Sequence, residues 1–196
     1  MAGPIASPRR AAAPGRLRLV QAFLNTSDLE AGTDELASAD RLRDWLAGEG
    51  LVPSDEPVTP ADLARAIEVR EALRALALAN NGEPLDPAAP RNLERAAATG
   101  RLALRFGPNG AVALQPDAAG VDGALGRLLS IVHEAMTDGT WPRLKACRED
   151  VCRWAFYDHS RNRSGTWCTM AVCGNRAKAR QYRRRRRERE RPGEEA

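Results

Sequence analysis

The amino-acid sequence predicts an α+β fold: a helix-rich N-terminal domain with a small β-hairpin, followed by a small four-cysteine zinc-finger module and a basic C-terminal helix or tail. Three observations support this class. Helix start and stop residues recur through the first 140 positions. Two alternating apolar segments flank a Gly-Pro-Asn-Gly turn. All four cysteines of the 196-residue chain lie in one C-terminal segment.

Composition divides the chain into four parts. Residues 1–15 are rich in Ala, Pro and Gly and offer almost nothing to bury, so we expect a disordered N-terminus. The helical domain is expected over 16–139, the finger over 141–182 and an Arg-rich tail over 183–196. The length suits one domain of ordinary size with a small appended module.

The helical domain begins with an apolar segment at 17–24, whose type the pattern leaves open. Turn-forming residues end this segment. We expect Asn25 and Thr26 to cap a helix, with a ligand contact as the alternative. Ser38 is then a suitable N-cap for a short helix that Gly48 and Gly50 end.

The clearest helix starts at Thr59-Pro60, because Thr is a good N-cap and Pro is favoured at the first helical position. An Asn-Asn-Gly turn at 80–82 ends it. Its charged residues are expected to form a solvated face; they are Arg65, Glu68, Arg70, Glu71 and Arg74. Asp86-Pro87 repeats the start signal for a shorter helix, and a last helix ends near Asp138-Gly139.

Two short segments between these last helices predict the β-hairpin. Leu102, Leu104 and Phe106 alternate with polar or small residues. Val112 and Leu114 repeat the alternation after the turn. A period of two on both sides of a Gly/Pro/Asn turn is typical of paired antiparallel strands.

The cysteines form two pairs, Cys147-x4-Cys152 and Cys168-x4-Cys173. Two pairs joined by a short loop supply the four thiolates of a tetrahedral Zn²⁺ site. Two structural disulfides, or four unrelated buried thiols, are the alternatives. Disulfides belong to oxidising compartments, and the sequence shows neither an apolar signal segment nor a run of ~18 apolar residues that would span a membrane. We therefore expect reduced thiols, a cytoplasmic chain and no membrane partner.

The segment between the cysteine pairs is aromatic. Trp154, Phe156 and Tyr157 have strand propensity. A module this small has hardly any core, so Trp154, Phe156 and Trp167 are expected to pack around the metal, with base stacking as the alternative. Four thiolates complete a tetrahedral site, which leaves His159 as a solvent or phosphate contact. Such a module depends on its metal, and we expect its unfolding to leave the body intact.

Charge is distributed unevenly along the chain. Residues 141–196 hold 16 Lys and Arg against seven Asp and Glu, a net charge of +9, whereas residues 1–140 carry −5. A basic segment beside an acidic body indicates an anionic partner. The expected nucleic-acid contacts are Arg148, Arg153, Arg161, Arg163, Arg176, Lys178, Arg180, Arg183, Arg184, Arg185, Arg186 and Arg187. A solvated, disordered tail is the alternative from Arg183 onward.

These residues resemble two known families. The uninterrupted Cys173-Gly174-Asn175-Arg176, with both cysteine pairs and the aromatic segment before it, resembles the CGNR zinc-finger family. Phe23-Leu24-Asn25-Thr26 and Leu42-x-x-Trp45-Leu46, with Gly50-Leu51 after it, resemble the ABATE domain that usually precedes this finger, a domain described as a stress-induced transcription regulator. The resemblance implies a bacterial, cytoplasmic and nucleoid-associated DNA-binding regulator with zinc in its finger.

We therefore expect a zinc-dependent DNA-binding transcription regulator that is not an enzyme. Its finger and basic arm would contact the backbone of double-stranded DNA, and its body would sense a small-molecule effector or mediate association as a homodimer. An RNA-binding zinc protein in stress or ribosome-associated control is one alternative, because both polymers offer phosphates. An enzyme with its site in the body is another, although the sequence shows no catalytic constellation around the lone helical His133.

Overall fold

A computed structural model describes residues 12–189 of the chain. Its elements confirm the predicted α+β class, with the helical domain first, the cysteine module second and a helix at the end. The helices are α1 (Leu17–Leu24), α2 (Ala39–Gly48), α3 (Pro60–Ala79), α4 (Ala88–Thr99), α5 (Gly120–Thr137) and α6 (Asn175–Arg189). The strands are β1 (Ser27–Asp28), β2 (Thr33–Asp34), β3 (Leu102–Phe106), β4 (Val112–Pro116), β5 (Leu144–Ala146) and β6 (Ala155–Tyr157). They pair as three antiparallel two-stranded sheets, β1–β2, β3–β4 and β5–β6.

Two predicted segments lie partly outside the described residues. Most of the N-terminus predicted as disordered over 1–15 is outside them, but Ala13 is described and buried. Its backbone N donates to Oε1 of Gln21 at 2.6 Å, so the predicted disorder is wrong at this position. The tail predicted over 183–196 is helical as far as Arg189, and the rest of it lies outside the described residues.

The predicted starts of α2 and α3 are confirmed by their caps. At the start of α3, Oγ1 of Thr59 accepts from the backbone N of Asp62 at 3.2 Å, and Oδ2 of Asp62 accepts from the backbone N of Thr59 at 2.7 Å. Together with Pro60 at the first helical position, this reciprocal pair satisfies donors that the helix itself leaves free. Oγ of Ser38 likewise accepts from the backbone N of Arg41 at the start of α2.

The segment at 17–24, whose type the sequence leaves open, is the helix α1. Its apolar residues Leu17, Val20, Phe23 and Leu24 recur at helical spacing and are all buried. The ring of Phe23 packs against that of Trp45 on α2, with 5.4 Å between centroids. This short helix is therefore held by its buried face, since eight residues are too few for a helix to be stable alone.

The β3–β4 hairpin is confirmed, with Leu102 opposite Pro116 and Phe106 opposite Val112. Its base packs on α5 at Gly126, where a Cβ would lie 2.9 Å from Cβ of Pro116 and 3.4 Å from Cδ2 of Leu102. Glycine at this position therefore permits the close approach of strand and helix. Its tip projects from the body, where Phe106 is 75% exposed.

The apolar core does not stop at the end of the helical domain. Leu144 and Ala146 of β5, and Ala155 and Tyr157 of β6, are buried in the same cluster as the helices α1, α3 and α5. Because the β5–β6 hairpin completes the core of the body, the two parts are not independent packing units. The boundary near residue 140 stays a prediction from the sequence, and the packing continues across it.

Three asparagines fix the finger to the body. Asn80 and Asn81, which the sequence indicates only as the end of α3, donate to Leu144 O at 2.9 Å and to Ala146 O at 2.8 Å respectively. The side-chain amide of Asn25 pairs with the backbone of Ala155, accepting from its N at 2.8 Å and donating to its O at 2.9 Å. Asn25 is the C-cap residue of α1, as expected, and its side chain in addition pairs with β6 as a neighbouring strand would.

The charges on α3 do not all form a solvated face, and that expectation is wrong for Arg70 and Arg74, which are each 3% exposed. Arg70 pairs with both carboxylate oxygens of Asp34 at 2.8 Å and donates to Oγ1 of Thr26. The short β1–β2 hairpin, which the sequence analysis missed, places Asp34 for this contact. A helical charge pattern alone cannot distinguish a solvated pair from one covered by a distant segment of the chain.

Arg74 joins three parts of the molecule. Its guanidinium donates to Leu24 O at the end of α1 at 2.7 Å and to Arg153 O in the finger at 3.0 Å. Nε donates to Oε2 of Glu71 at 2.9 Å. Burial would raise the pKa of Glu71, but hydrogen bonds from Arg74 and Arg70 outweigh it, and the pKa lies below its ordinary value. The buried guanidinium is thus matched to one carboxylate and two carbonyl groups.

Replacing Arg74 should destabilise the folded chain. We expect Arg74→Ala to lower the free energy of unfolding by about 3–5 kcal/mol, because it leaves buried partners without their donor. The matched control is Arg95→Ala, which removes an exposed ion pair with Glu68 and should cost less than about 1 kcal/mol. Urea unfolding at neutral pH measures both. Equal losses in the two variants would contradict a structural role for Arg74.

Candidate metal centre and nucleic-acid interface

The four cysteine thiols meet at one buried point. The Sγ atoms of Cys147, Cys152, Cys168 and Cys173 all lie within 4.8 Å of one another. All four thiols are free and at most 5% exposed, so the structure does not contain the alternative pair of disulfides. The cluster is the one group among the described residues in which at least three Cys, His, Asp or Glu side chains converge closely enough to hold a metal ion.

The spacing of these sulfurs fits a tetrahedral metal. Sγ of Cys168 is 3.6 Å from Sγ of Cys152 and 3.7 Å from Sγ of Cys173. A tetrahedral ion with metal–sulfur bonds of about 2.3 Å requires sulfur–sulfur distances of about 3.8 Å. A disulfide requires about 2.05 Å, far less than either distance. The donor set and its geometry therefore fit metal binding.

The first cysteine pair lies on a tight turn. The backbone N of Cys152 donates to Glu149 O at 2.9 Å, and that of Arg153 donates to the same oxygen at 3.0 Å. Arg153 ends the turn with a positive φ of 49°, in the left-handed region. The backbone N–H groups of Cys168 and Glu149 also lower the pKa of Cys147. These donors orient the sulfur and favour its thiolate form.

The thiols cannot all ionise by themselves. Hydrogen bonds from Cys152 and Cys168 lower the pKa of Cys147. Hydrogen bonding to Cys147 raises the pKa of Cys152 and of Cys168, and burial is the main cause that raises the pKa of Cys173 to about 12. A bound divalent cation provides the positive charge that four adjacent thiolates need.

The aromatic residues pack around the thiols, as predicted. Phe156 is buried in the cysteine cluster, and Trp154 and Trp167 pack against it. His159 is not part of the cluster, since its Nε2 lies 3.1 Å from Ala12 O, next to the start of the described chain. The shell around the sulfurs is therefore apolar, which excludes water from the site.

A buried ion pair fixes the loop between the two cysteine pairs. Nζ of Lys145 donates to Oδ2 of Asp158 at 2.8 Å, and both side chains are at most 5% exposed. The same ammonium donates to Gly165 O, and the backbone N of Gly165 donates back to Asp158. Burial would raise the pKa of Asp158, but hydrogen bonds from Lys145 and Ser160 hold it far below its usual range. The pair therefore stays ionised and closes the loop that leads to Cys168.

The basic helix α6 begins immediately after the last part of the metal site. Met170–Gly174 forms one turn of π-helix that contains Cys173, and α6 starts at the next residue. Arg180 then pairs with Glu149 on the first cysteine turn, through contacts of 2.9 and 2.7 Å. The Glu149 side chain is 5% exposed, so this bidentate pair fixes the first turns of α6 to the finger.

The structure pairs several of the predicted basic residues with carboxylates. Arg148 pairs with Glu83, Arg153 with Asp150 and Arg176 with Glu30. Arg161 and Arg163 are exposed on the finger loop. The exposed basic side chains of α6 beyond Arg180 are Arg183, Arg184, Arg185, Arg186 and Arg187, and Lys178 is exposed nearer its start.

One face of α6 carries a row of arginines at helical spacing. Arg176, Arg180, Arg183 and Arg187 follow the i, i+4, i+7, i+11 pattern and so share a face. The first two are paired with Glu30 and Glu149. No ion pair is described for the last two within residues 12–189. The row is therefore neutralised near the metal site and open towards the end of the helix.

Two family models match this chain. The model described as "ABATE: Putative stress-induced transcription regulator" matches residues 17–139, and the model of the CGNR zinc finger matches residues 143–186. The first match covers more than half of the chain. This chain belongs to the ABATE family. Its CGNR finger is the module that carries the four thiols.

Two further results concern this ABATE-family chain. A search of curated proteins finds no match to it. Among residues 12–189, no helix is both long and apolar enough to cross a membrane.

Loss of one thiol should remove the metal. We expect one metal ion per chain in protein purified without added metal, and almost none in Cys173→Ser, by elemental analysis. Because β5 and β6 share the core of the body, we also expect the variant to unfold at a lower temperature throughout, and not in the finger alone. Ser164→Ala, on the exposed loop, is the control. An unchanged metal content in Cys173→Ser would contradict the four-thiol site.

The buried ion pair should stabilise the finger over a wide pH range. The pKa of Asp158 is lower in the folded chain than in the unfolded chain, so its contribution is present above about pH 4 and is lost only as the pH falls towards the folded value. Asp158→Asn should therefore cost about 3–5 kcal/mol equally at pH 6 and pH 8. Denaturant unfolding at the two pH values measures this loss of stability. Asp150→Asn, which alters an exposed pair, should cost less than about 1 kcal/mol.

Proposed function

We propose that this metal-binding regulator carries zinc at its four thiols and binds double-stranded DNA through the finger and α6. The observation that most supports this proposal is that α6 begins two residues after Cys173, the last of the four thiols. Residues 175–189 include nine basic residues and one acidic residue. A helix of this charge, held at one end, presents guanidinium groups where a phosphate backbone can replace the counterions.

Zinc is the metal that this donor set favours. Four thiolates in a closed, buried tetrahedron without a free position are typical of structural Zn²⁺ sites. When bound, the ion supplies structural cross-linking of the two cysteine turns and no catalytic chemistry, since no coordination position remains for a substrate. The thiols of Cys168 and Cys173 then hold the π-helical turn from which α6 starts.

Phosphate contact is the expected role of most α6 arginines. The row from Arg176 to Arg187 spans roughly 16 Å along the helix axis, enough to reach several phosphates. Arg176 and Arg180 are held by carboxylates and position the helix, whereas Arg183 and Arg187 remain open to an anionic polymer. Successive arginines point in different directions around a helix, so few of them can enter one groove and contact bases.

The body supports a role in regulation and not in catalysis. Of the two histidines, His133 is exposed on α5 and His159 contacts the backbone of Ala12. The close cluster of metal-ligating side chains among the described residues is the structural cysteine site. We infer a binding protein in which the body senses a ligand or mediates association as a homodimer. The bacterial cytoplasm, at the nucleoid, is the expected location.

Salt dependence tests the contact with phosphates. We expect the logarithm of the affinity for duplex DNA to fall with the logarithm of salt at a slope of roughly −4 to −7, for about five to eight neutralised phosphates. Arg183→Ala with Arg187→Ala should flatten the slope by about two, because each lost phosphate contact removes about 0.9. Arg91→Ala, an exposed arginine of α4, is the control. Affinity that does not change between about 50 and 300 mM salt would contradict the proposal.

The nature of the polymer is decided by selection. Full-length, metal-loaded protein is mixed with random duplex DNA and with random RNA, and the retained molecules are sequenced. Enrichment of duplex DNA supports the proposed function, and a shared sequence among those molecules identifies an operator. Preferential retention of RNA would overturn the DNA proposal in favour of an RNA-binding protein, since the arginine row offers phosphate contacts to both polymers.

A further inference from the structure

A cleft of about 790 Å³ opens on the body between α1, α5 and β4, beside the turn that follows α2. None of its lining residues belongs to the cysteine cluster or to α6. Its size is that of pockets which bind drug-sized molecules. It is therefore a second candidate site, separate from the finger.

We propose that this cleft binds a small amphipathic anion, a carboxylate carried on an apolar body. The proposal deepens the ligand sensing of the proposed function by naming the site and the chemical class of the effector. It requires a cleft with apolar side chains in its lining and with cationic groups that are not already neutralised, and both features are present.

Part of the cleft lining is apolar. Leu19 and Ala22 line it from α1, Ile131 from α5, Leu114 from β4 and Leu51 from the turn after α2. These side chains come from four segments that converge only in the folded chain. An apolar ligand body that covers them leaves water, which is the main favourable term for binding in such a pocket.

The cationic groups lie on the two helices. Arg16 is neutralised by Glu134, with Nη1 3.0 Å from both carboxylate oxygens. Arg18 on α1 and Arg127 on α5 are exposed cleft residues, and the described part of the chain shows no ion pair or hydrogen bond for either guanidinium. Glu49 is the remaining carboxylate of the lining. The lining thus contains two guanidinium groups without a described partner, those of Arg18 and Arg127, and one such carboxylate, that of Glu49. This excess of positive charge favours an anionic head group.

The helix α1 connects the cleft to the finger. Arg18, Leu19 and Ala22 line the cleft, whereas Gln21 and Asn25 of the same segment donate to the backbone of Ala155 in β6. A ligand that contacts α1 therefore acts on the element that holds the finger hairpin. This link rests on the proposed function, because it gives occupancy of the cleft a route to α6.

Calorimetry on the full-length, metal-loaded protein without nucleic acid tests the site. The probes are decanoate, below its micelle-forming concentration, and naphthalene-2-carboxylate, which distinguish an acyl from an aromatic body. Decan-1-ol and decyltrimethylammonium are the neutral and cationic head-group controls. We expect saturable binding of at least one carboxylate at one site per chain. Both controls should bind at least about tenfold more weakly, because a charge-assisted hydrogen bond contributes about that factor.

Single substitutions then place the ligand in the cleft. Arg18→Gln and Arg127→Gln should each weaken carboxylate binding about tenfold. Arg91→Gln, an exposed arginine outside the cleft, should not change it. Ala22→Phe, which narrows the cleft, should abolish carboxylate binding. The melting temperature of this variant checks that it folds. If Ala22→Phe does not fold, the two arginine variants still test whether the carboxylate binds in the cleft.

Three results would overturn the proposal: no binding of either carboxylate, equal binding of all head groups, or wild-type affinity in both Arg18→Gln and Arg127→Gln. Because these measurements contain no nucleic acid, their failure leaves DNA binding by α6 untouched. Conversely, loss of the salt-dependent DNA affinity would overturn the proposed function without removing the cleft as a ligand site.

Discussion

Burial of the β5–β6 hairpin in the core of the helical body is the contact on which the rest of the structure depends. Leu144, Ala146, Ala155 and Tyr157 provide apolar side chains to the same cluster as the helices. The hairpin also carries the chain into the first cysteine turn, whose backbone is tied to Arg74. A finger with only a small apolar cluster around its thiols thus shares the core of the body, and a metal ion held by the thiols would close the part that the body does not cover.

This arrangement fixes the direction of the basic helix. The metal site lies on a hairpin held by the asparagines at the end of α3 and by Asn25, and α6 starts two residues after the last thiol. Two carboxylates then neutralise the first arginines of its row, Glu30 from the body and Glu149 from the finger. Unpaired positive charge therefore increases along α6 towards its C-terminal end, where a polyanion can approach without displacing internal contacts.

Much of this structure could be predicted from local patterns. The caps at Ser38 and Thr59, the β3–β4 hairpin and the convergence of two cysteine pairs each depend on residues close in sequence, and the structure contains them all. The buried Arg70 and Arg74 could not be found in this way. Their spacing on α3 is that of a solvated face, and what covers them is Asp34, Leu24 O and Arg153 O from distant segments.

The sequence by itself determined the metal-ligating cysteines, the basic C-terminal segment and the family, because ligand spacing, charge and short motifs are properties of neighbouring residues. Only the tertiary structure decided which arginines are neutralised, that the finger shares the core of the body, and that a cleft with open guanidinium groups forms between α1, α5 and β4. Each of these depends on contacts between residues far apart in the chain, and no local pattern encodes which distant carboxylate or carbonyl a side chain will meet.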